Sequence, residues 1–394
     1  MSWRHLPAQW LATVYVAGVS MVLFFWLGRM LGPAVFGQYN IALTWAALCG
    51  LVFDAGFKTL IFRQEIGGRG GADTVRRAFG HLAVMAFVGA GVGLYLWRAA
   101  GWLPLAVLAF VVFNTLANFY SAHLKGMGSF DAEAGWQIGS RSASALVIVV
   151  ALLAWPSVAG IFLAWALGLL LWLAGKAGWL RQQRPVVGYD WLQYKPVLAL
   201  LTIDVATTVY FRTDVLLLKY LDVEPAEIGR YSLAYKVLEG ITLMAAPVAQ
   251  IFFREMRLSW LSGQHLAGRA AVFMGTSALF AVLLTAASAM WGEGFSVMVM
   301  GESYRGMAGI LPWLMLSLCF ILPNAFLTQL ALASEREWSY AGAAIVAAVA
   351  NVGLNLWLIP AHGVMAAAWA TIVTEGVLMV CLLWALRGPQ WARG

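Results

Sequence analysis

Charge is scarce in this 394-residue chain, where Asp, Glu, Lys and Arg together make up 11% of the residues. A soluble domain carries about a quarter, so there is too little polar surface here to wrap a water-soluble core. Cysteine is scarcer still. Cys49, Cys319 and Cys381 lie in apolar stretches at spacings that form no metal motif, and they read as small packing residues. The five histidines are scattered as His5, His81, His123, His265 and His362. Neither a phosphate-cradling glycine loop nor a nucleophilic triad stands out, so an enzyme is not expected. Alternation of apolar and polar residues over strand-length segments is also missing, which argues against a β-barrel.

What the chain has in abundance is apolar surface: 62% hydrophobic residues, with 20 Trp, 21 Phe and 40 Gly. A membrane helix needs about 20 apolar residues, so at roughly 33 residues per span and loop the length accommodates about twelve helices. Little is left for a soluble domain. The apolar runs place helices near 10–28, 39–58, 78–97, 102–121, 138–155, 157–175, 193–212, 229–251, 270–290, 307–328, 339–358 and 363–385. Pro156-Ser157 marks the turn within the least divided stretch. The opening run from Trp10 to Leu27 follows Arg4 without a clear small-residue cleavage site, and is expected to stay as the first helix.

Assigning alternate loops to opposite sides puts 18 of the 25 Lys and Arg on one side and 6 on the other, with Lys236 inside a helix. Basic residues collect on the cytoplasmic side, so both termini are expected there. The formal charge of +7 therefore reads as a topology signal rather than a nucleic-acid surface. The basic stretches Arg69 to Arg77 and Lys176 to Arg184 read the same way.

An internal echo divides the spans. Phe36-Gly37-Gln38-Tyr39-Asn40-Ile41-Ala42-Leu43 enters helix two, and Ile228-Gly229-Arg230-Tyr231-Ser232-Leu233-Ala234-Tyr235 enters helix eight, at an offset of 192 residues. Both copies sit on the same side of the membrane in the charge-derived topology, as parallel repeats require. The expected fold is an all-α polytopic membrane protein of about twelve transmembrane helices in two pseudo-symmetric six-helix bundles, residues 1–185 and 186–394.

Four stretches also resemble a known family. Leu31-Gly32-Pro33-Ala34-Val35-Phe36-Gly37-Gln38-Tyr39 and Phe53-Asp54-Ala55-Gly56-Phe57 flank helix two. Arg212-Thr213-Asp214 precedes Ile228-Gly229-Arg230-Tyr231, and Asn355-Leu356-Trp357-Leu358-Ile359-Pro360 leads through Gly363 to Ala366-Ala367-Ala368-Trp369-Ala370-Thr371. In order and spacing these are similar to prokaryotic polysaccharide and oligosaccharide flippases, including O-antigen flippases, of the multidrug/oligosaccharidyl-lipid/polysaccharide exporter superfamily. Gly363 is followed by Val364-Met365 instead of a second glycine, and the chain is short for the superfamily. The resemblance implies translocation of an undecaprenyl-diphosphate-linked glycan from the cytoplasmic to the periplasmic leaflet of a bacterial inner membrane by alternating access. It also implies a proton or sodium gradient as the driving force and no other cofactor. Membrane lipids are expected partners, with other glycan-assembly proteins as further candidates.

Ionisable residues inside spans mark function by default. Arg212 and Asp214 lie at the external end of helix seven, with Asp204 deeper; Lys236 and Glu239, three residues apart, share a face of helix eight. Asp54 and Lys58 lie one turn apart at the cytoplasmic end of helix two, as a local ion pair or a gate, and Arg29 lies near the external turn. Asn114 and Asn118 share a face of helix four, suited to sugar hydroxyls or to tying helices together. Asp204, Glu239 and Glu375 are the candidates for ion coupling. Pro247, Pro312 and Pro323 are expected to kink their helices. The competing function is cation-coupled export of drugs or small metabolites, which an apolar, mainly acidic chamber would favour. Converging cations favour a glycolipid.

Overall fold

The computed structural model describes residues 6–66, 71–182, 213–261, 267–334 and 336–387, together with Val205 and Thr208. Every regular element among the described residues is helical: α1 (Leu6–Asp54), α2 (Phe57–Ile66), α3 (Gly71–Ala100), α4 (Leu103–Gly126), α5 (Phe130–Ala154), α6 (Val158–Ala174), α7 (Ala177–Gln182), α8 (213–220), α9 (Pro225–Leu261), α10 (Ala267–Met300), α11 (Met307–Ala333), α12 (Glu337–His362) and α13 (Val364–Leu386). Eight of them are long and apolar enough to cross a membrane. One of the eight, α1, carries two expected spans. The 17-residue α6 and the 37-residue α9 account for two more. The expected helix 193–212 falls outside the described residues apart from Val205 and Thr208. Twelve spans fit this arrangement.

Local chemistry sets the element ends. The expected linker between helices one and two shrinks to a single residue, Gly32, at φ 71° and ψ 166°. A left-handed φ is cheap for glycine, and Pro33 then opens the second arm with its φ already helical and no N–H to satisfy. Helix two ends at Asp54 rather than at 58, because Ala55 and Gly56 both take positive φ before α2 starts. At the expected turn after Pro156, the Ser157 hydroxyl caps α6 by accepting the Gly160 N–H at 3.0 Å. Pro312 and Pro323 are accommodated inside α11, and Pro360 in the last turn of α12, which Gly363 closes at φ 56°.

The chain divides into two compact units, one of residues 1–27 and 41–208, the other of residues 28–40 and 209–394. In the first, α4 packs against α2, α3, α5 and α6. The second is built around α11, which contacts α9, α10, α12 and α13. Its buried apolar residues include Phe326, Leu327, Leu330, Ala343, Leu382 and Leu386. The expected division after residue 185 falls among residues outside the described set.

Within the second unit the two repeat entrances meet. A Cβ on Gly37 would stand 1.8 Å from the Pro225 carbonyl oxygen, and one on Gly229 would stand 2.1 Å from that of Pro33. Each glycine thus faces the other copy's proline, and both prolines lie four residues before their glycines. The reciprocity is that of a local twofold, and it extends the echo to Pro33-Ala34 and Pro225-Ala226 at the same offset of 192.

Candidate functional site

The first unit contains a cavity of about 480 Å³, walled by α1, α2, α4, α5 and α6. Two polar stripes face it. On α4, Asn114, Asn118, Ser121 and Lys125 follow the spacing of one helical face; on α5, Gln137, Ser140, Arg141 and Ser144 do the same. Lys58 and Thr59 enter from α2, and Trp136 and Trp165 supply aromatic surface. Three cations therefore line one chamber.

Each cation is held differently. Arg141 donates to the Ser20 hydroxyl from Nε at 2.7 Å and also from Nη2, and its guanidinium lies 5.2 Å from the centroid of the Trp165 ring. Such a contact holds a planar cation in place against the aromatic face. Lys125 Nζ stands 3.1 Å from the carboxylate of Glu133, which is fully buried behind the wall. The Lys58 ammonium makes no hydrogen bond or ion pair among the described residues. Its partnership with Asp54 differs from the expected side-chain pair, since the Asp54 carboxylate accepts the Lys58 backbone N–H at 3.1 Å across the break between α1 and α2. Asp54 thereby serves the start of α2 and leaves the ammonium to the cavity.

Of the residues expected from the sequence, Lys58, Asn114 and Asn118 come together here. Asp54 also belongs to the first unit, at the end of α1 and not in the cavity lining, while the other described ones lie in the second unit and find partners there. Asp214 is buried, with its carboxylate accepting the hydroxyl of the equally buried Tyr231. Lys236 and Glu239 form an ion pair along α9, each side chain about a quarter exposed. Glu375, buried on α13, accepts Asn324 Nδ2 of α11 at 2.7 Å, and its backbone carbonyl accepts the same group at 2.8 Å. Arg29 donates to the Val299 carbonyl at 3.2 Å. Asp204 and Arg212 lie outside the described residues.

No family model and no curated protein matches the sequence. Solved structures do match. The chain is similar to lipid II flippase MurJ in an inward closed conformation, with TM-score 0.74 and 11% identity over 96% of this chain and 87% of that one. It is also similar to a multidrug resistance MATE family transporter of the MOP superfamily in its inward-facing conformation, with TM-score 0.66 and 13% identity over 95% and 93%. A mutant of the Vibrio cholerae MATE transporter VcmN gives TM-score 0.55 and 12% identity over 99% and 98%. The chain shares the fold of these transporters.

Within this fold, the sequence reading missed Lys125, Glu133 and Arg141 as site residues, because loop counting assigned both basic residues to topology. A signal was there. Asn114, Asn118, Ser121 and Lys125 recur at four, seven and eleven residues, as do Glu133, Gln137, Ser140 and Ser144. Two polar stripes at helical spacing in neighbouring apolar spans point to a shared wet face.

Proposed function

We propose that the protein is a flippase. It moves polyprenyl-diphosphate-linked oligosaccharide or polysaccharide repeat units from the cytoplasmic to the periplasmic leaflet by alternating access. The cavity of Lys58, Lys125 and Arg141 with Asn114 and Asn118 carries this reading. A diphosphate leaving the headgroup region loses strong hydration, and charge-assisted donors are the groups that replace it. The asparagine amides and the tryptophan faces suit sugar hydroxyls and sugar rings. All three cations belong to the side that the charge bias makes cytoplasmic, where such a substrate would load.

Drug export is the reading that the MATE likeness supports. Three cations against one buried carboxylate would repel an organic cation, so the electrostatics of this cavity favour the anionic cargo. For ion coupling, Glu375 with Asn324 is our first choice among Asp204, Glu239 and Glu375, because it is the most enclosed carboxylate of the two described. The coupling ion is a proton or sodium.

The test is reconstitution in vesicles with an imposed ion gradient, following a fluorescent polyprenyl-diphosphate oligosaccharide between leaflets. Wild-type protein should move it. Lys58→Ala and Arg141→Ala should each reduce movement about tenfold or more, as expected for loss of a charge-assisted contact worth roughly 1.5–3 kcal/mol. Efflux of small organic cations without glycolipid movement would refute the assignment.

A further inference from the structure

Glu133 is not on the cavity surface, yet its bonding bears directly on how the cavity works. Its Oε1 accepts the Ser121 hydroxyl at 2.6 Å and Gln137 Nε2, and it is the atom that Lys125 Nζ approaches at 3.1 Å; Oε2 accepts Gln9 Nε2 at 2.8 Å. Three donors on one oxygen exceed its two lone pairs. Lys125 is the surplus partner. When it turns away, Ser121 and Gln137 still serve Oε1 and Gln9 still serves Oε2, so the buried carboxylate is not stranded. Lys125 itself is over a third exposed and lines the cavity, so its ammonium can exchange partners without crossing the wall.

We propose that Glu133 is an internal competitor for Lys125: it holds the ammonium while the cavity is empty and reclaims it as a bound phosphate leaves. This rests on the reading of the cavity as a diphosphate site. A carrier must bind strongly enough to load and weakly enough to release, and a fixed carboxylate behind one of the cations supplies the second condition. Two effects oppose each other when Glu133 loses its charge. Freeing Lys125 makes it costlier to order around cargo, a loss of a few-fold in affinity. Removing a negative charge on the order of 6 Å from the phosphate gains about tenfold to a hundredfold at an effective dielectric of 20 to 40. The second effect wins.

The experiment uses the full chain in nanodiscs, titrated with undecaprenyl diphosphate, with undecaprenyl monophosphate and the neutral polyprenol as references. Glu133→Gln should bind the diphosphate at least tenfold more tightly, release it correspondingly more slowly, and bind the polyprenol as wild type does. Lys125→Met should weaken diphosphate binding by only a few-fold, less than Lys58→Met, because what Lys125 gains from cargo it gives up at Glu133. In the Glu133→Gln background the same Lys125→Met change should cost at least tenfold more. Unchanged or weaker binding by Glu133→Gln, in protein that melts like wild type, would overturn the proposal. So would a Lys125→Met loss as large as that of Lys58→Met, a comparison that decides the matter if Glu133→Gln folds poorly. Wild-type protein that binds diphosphate no better than polyprenol would refute the diphosphate site and the competitor together. A selective wild type with an unaltered Glu133→Gln variant would remove the competitor alone.

Discussion

Replacing Gly37 by alanine tests the reciprocal crossing of the two repeat entrances. The added methyl would lie 1.8 Å from the Pro225 carbonyl oxygen and 3.0 Å from the Gly229 nitrogen. Both are backbone atoms, which cannot rotate aside as a side chain would. Ordinary contact begins at 3.4 Å, so the crossing must open by more than an ångström. Overpacking of this kind costs about 1–3 kcal/mol, occasionally more. Against it stands the gain from replacing glycine by alanine in a helix, roughly 0.5–1 kcal/mol. The clash should win, leaving a net loss of about 1–2 kcal/mol.

Gly18 provides the control, because nothing lies within 4 Å of a Cβ built there. Gly18→Ala should melt at or slightly above the wild-type temperature in the same detergent, and Gly37→Ala clearly below it. Gly229→Ala should resemble Gly37→Ala, since its methyl would meet the Pro33 carbonyl at 2.1 Å. The double variant should lose less than the sum of the two, because a crossing opened for one methyl has already made room for the other. A Gly37→Ala protein as stable as Gly18→Ala would refute the close crossing, and additive losses would refute its reciprocity.

Three further substitutions probe individual groups. Arg141→Lys keeps the charge but loses the two-pronged contact with Ser20 and the guanidinium contact with the Trp165 ring; glycolipid movement should fall several-fold at unchanged membrane abundance. Tyr231→Phe removes the hydroxyl donated to the buried Asp214 and should lower stability by about 1–3 kcal/mol in thermal unfolding. Glu375→Gln should leave downhill movement of glycolipid in place but abolish its acceleration by an imposed gradient; undiminished acceleration would exclude Glu375 as the coupling group.

The sequence disclosed the membrane-spanning helices well because lipid demands long apolar runs, and water-soluble helices, which keep a polar face, seldom carry runs of that length. It disclosed the repeat through Gly37 and Gly229, and a closer reading of Pro33 and Pro225 would have lengthened it. Element ends were harder. The turn at Gly32 and the break at Ala55-Gly56 depend on single backbone torsions, which hydropathy windows average away. In the site, charge alone was a poor guide: Lys125 and Arg141 lie near span ends, where a basic residue that sets topology and one that faces a cavity look the same in sequence. Glu133 was missed for a related reason, since its donors come from α1, α4 and α5, and only the packing of those helices brings them to one carboxylate.

The manner in which each ionisable group is satisfied separates structural from working residues better than its depth in the membrane does. Lys236 has Glu239, Asp214 has Tyr231, and Glu375 has Asn324. These contacts reduce the cost of holding a polar group away from water, so their presence alone requires no cargo. Lys58 stands apart, since its ammonium meets no described acceptor and projects into a chamber with two further cations. Within the cavity lining, water or an anion can solvate such a charge, and an anion that replaces that water meets a site already positive. In the proposed flippase, Arg141, anchored on Ser20 and Trp165, would fix where the anion sits, while Lys125 would divide itself between that anion and Glu133. In the proposed cycle the three cations would thus have distinct parts: Lys58 would supply attraction, Arg141 position, and Lys125 the means of release.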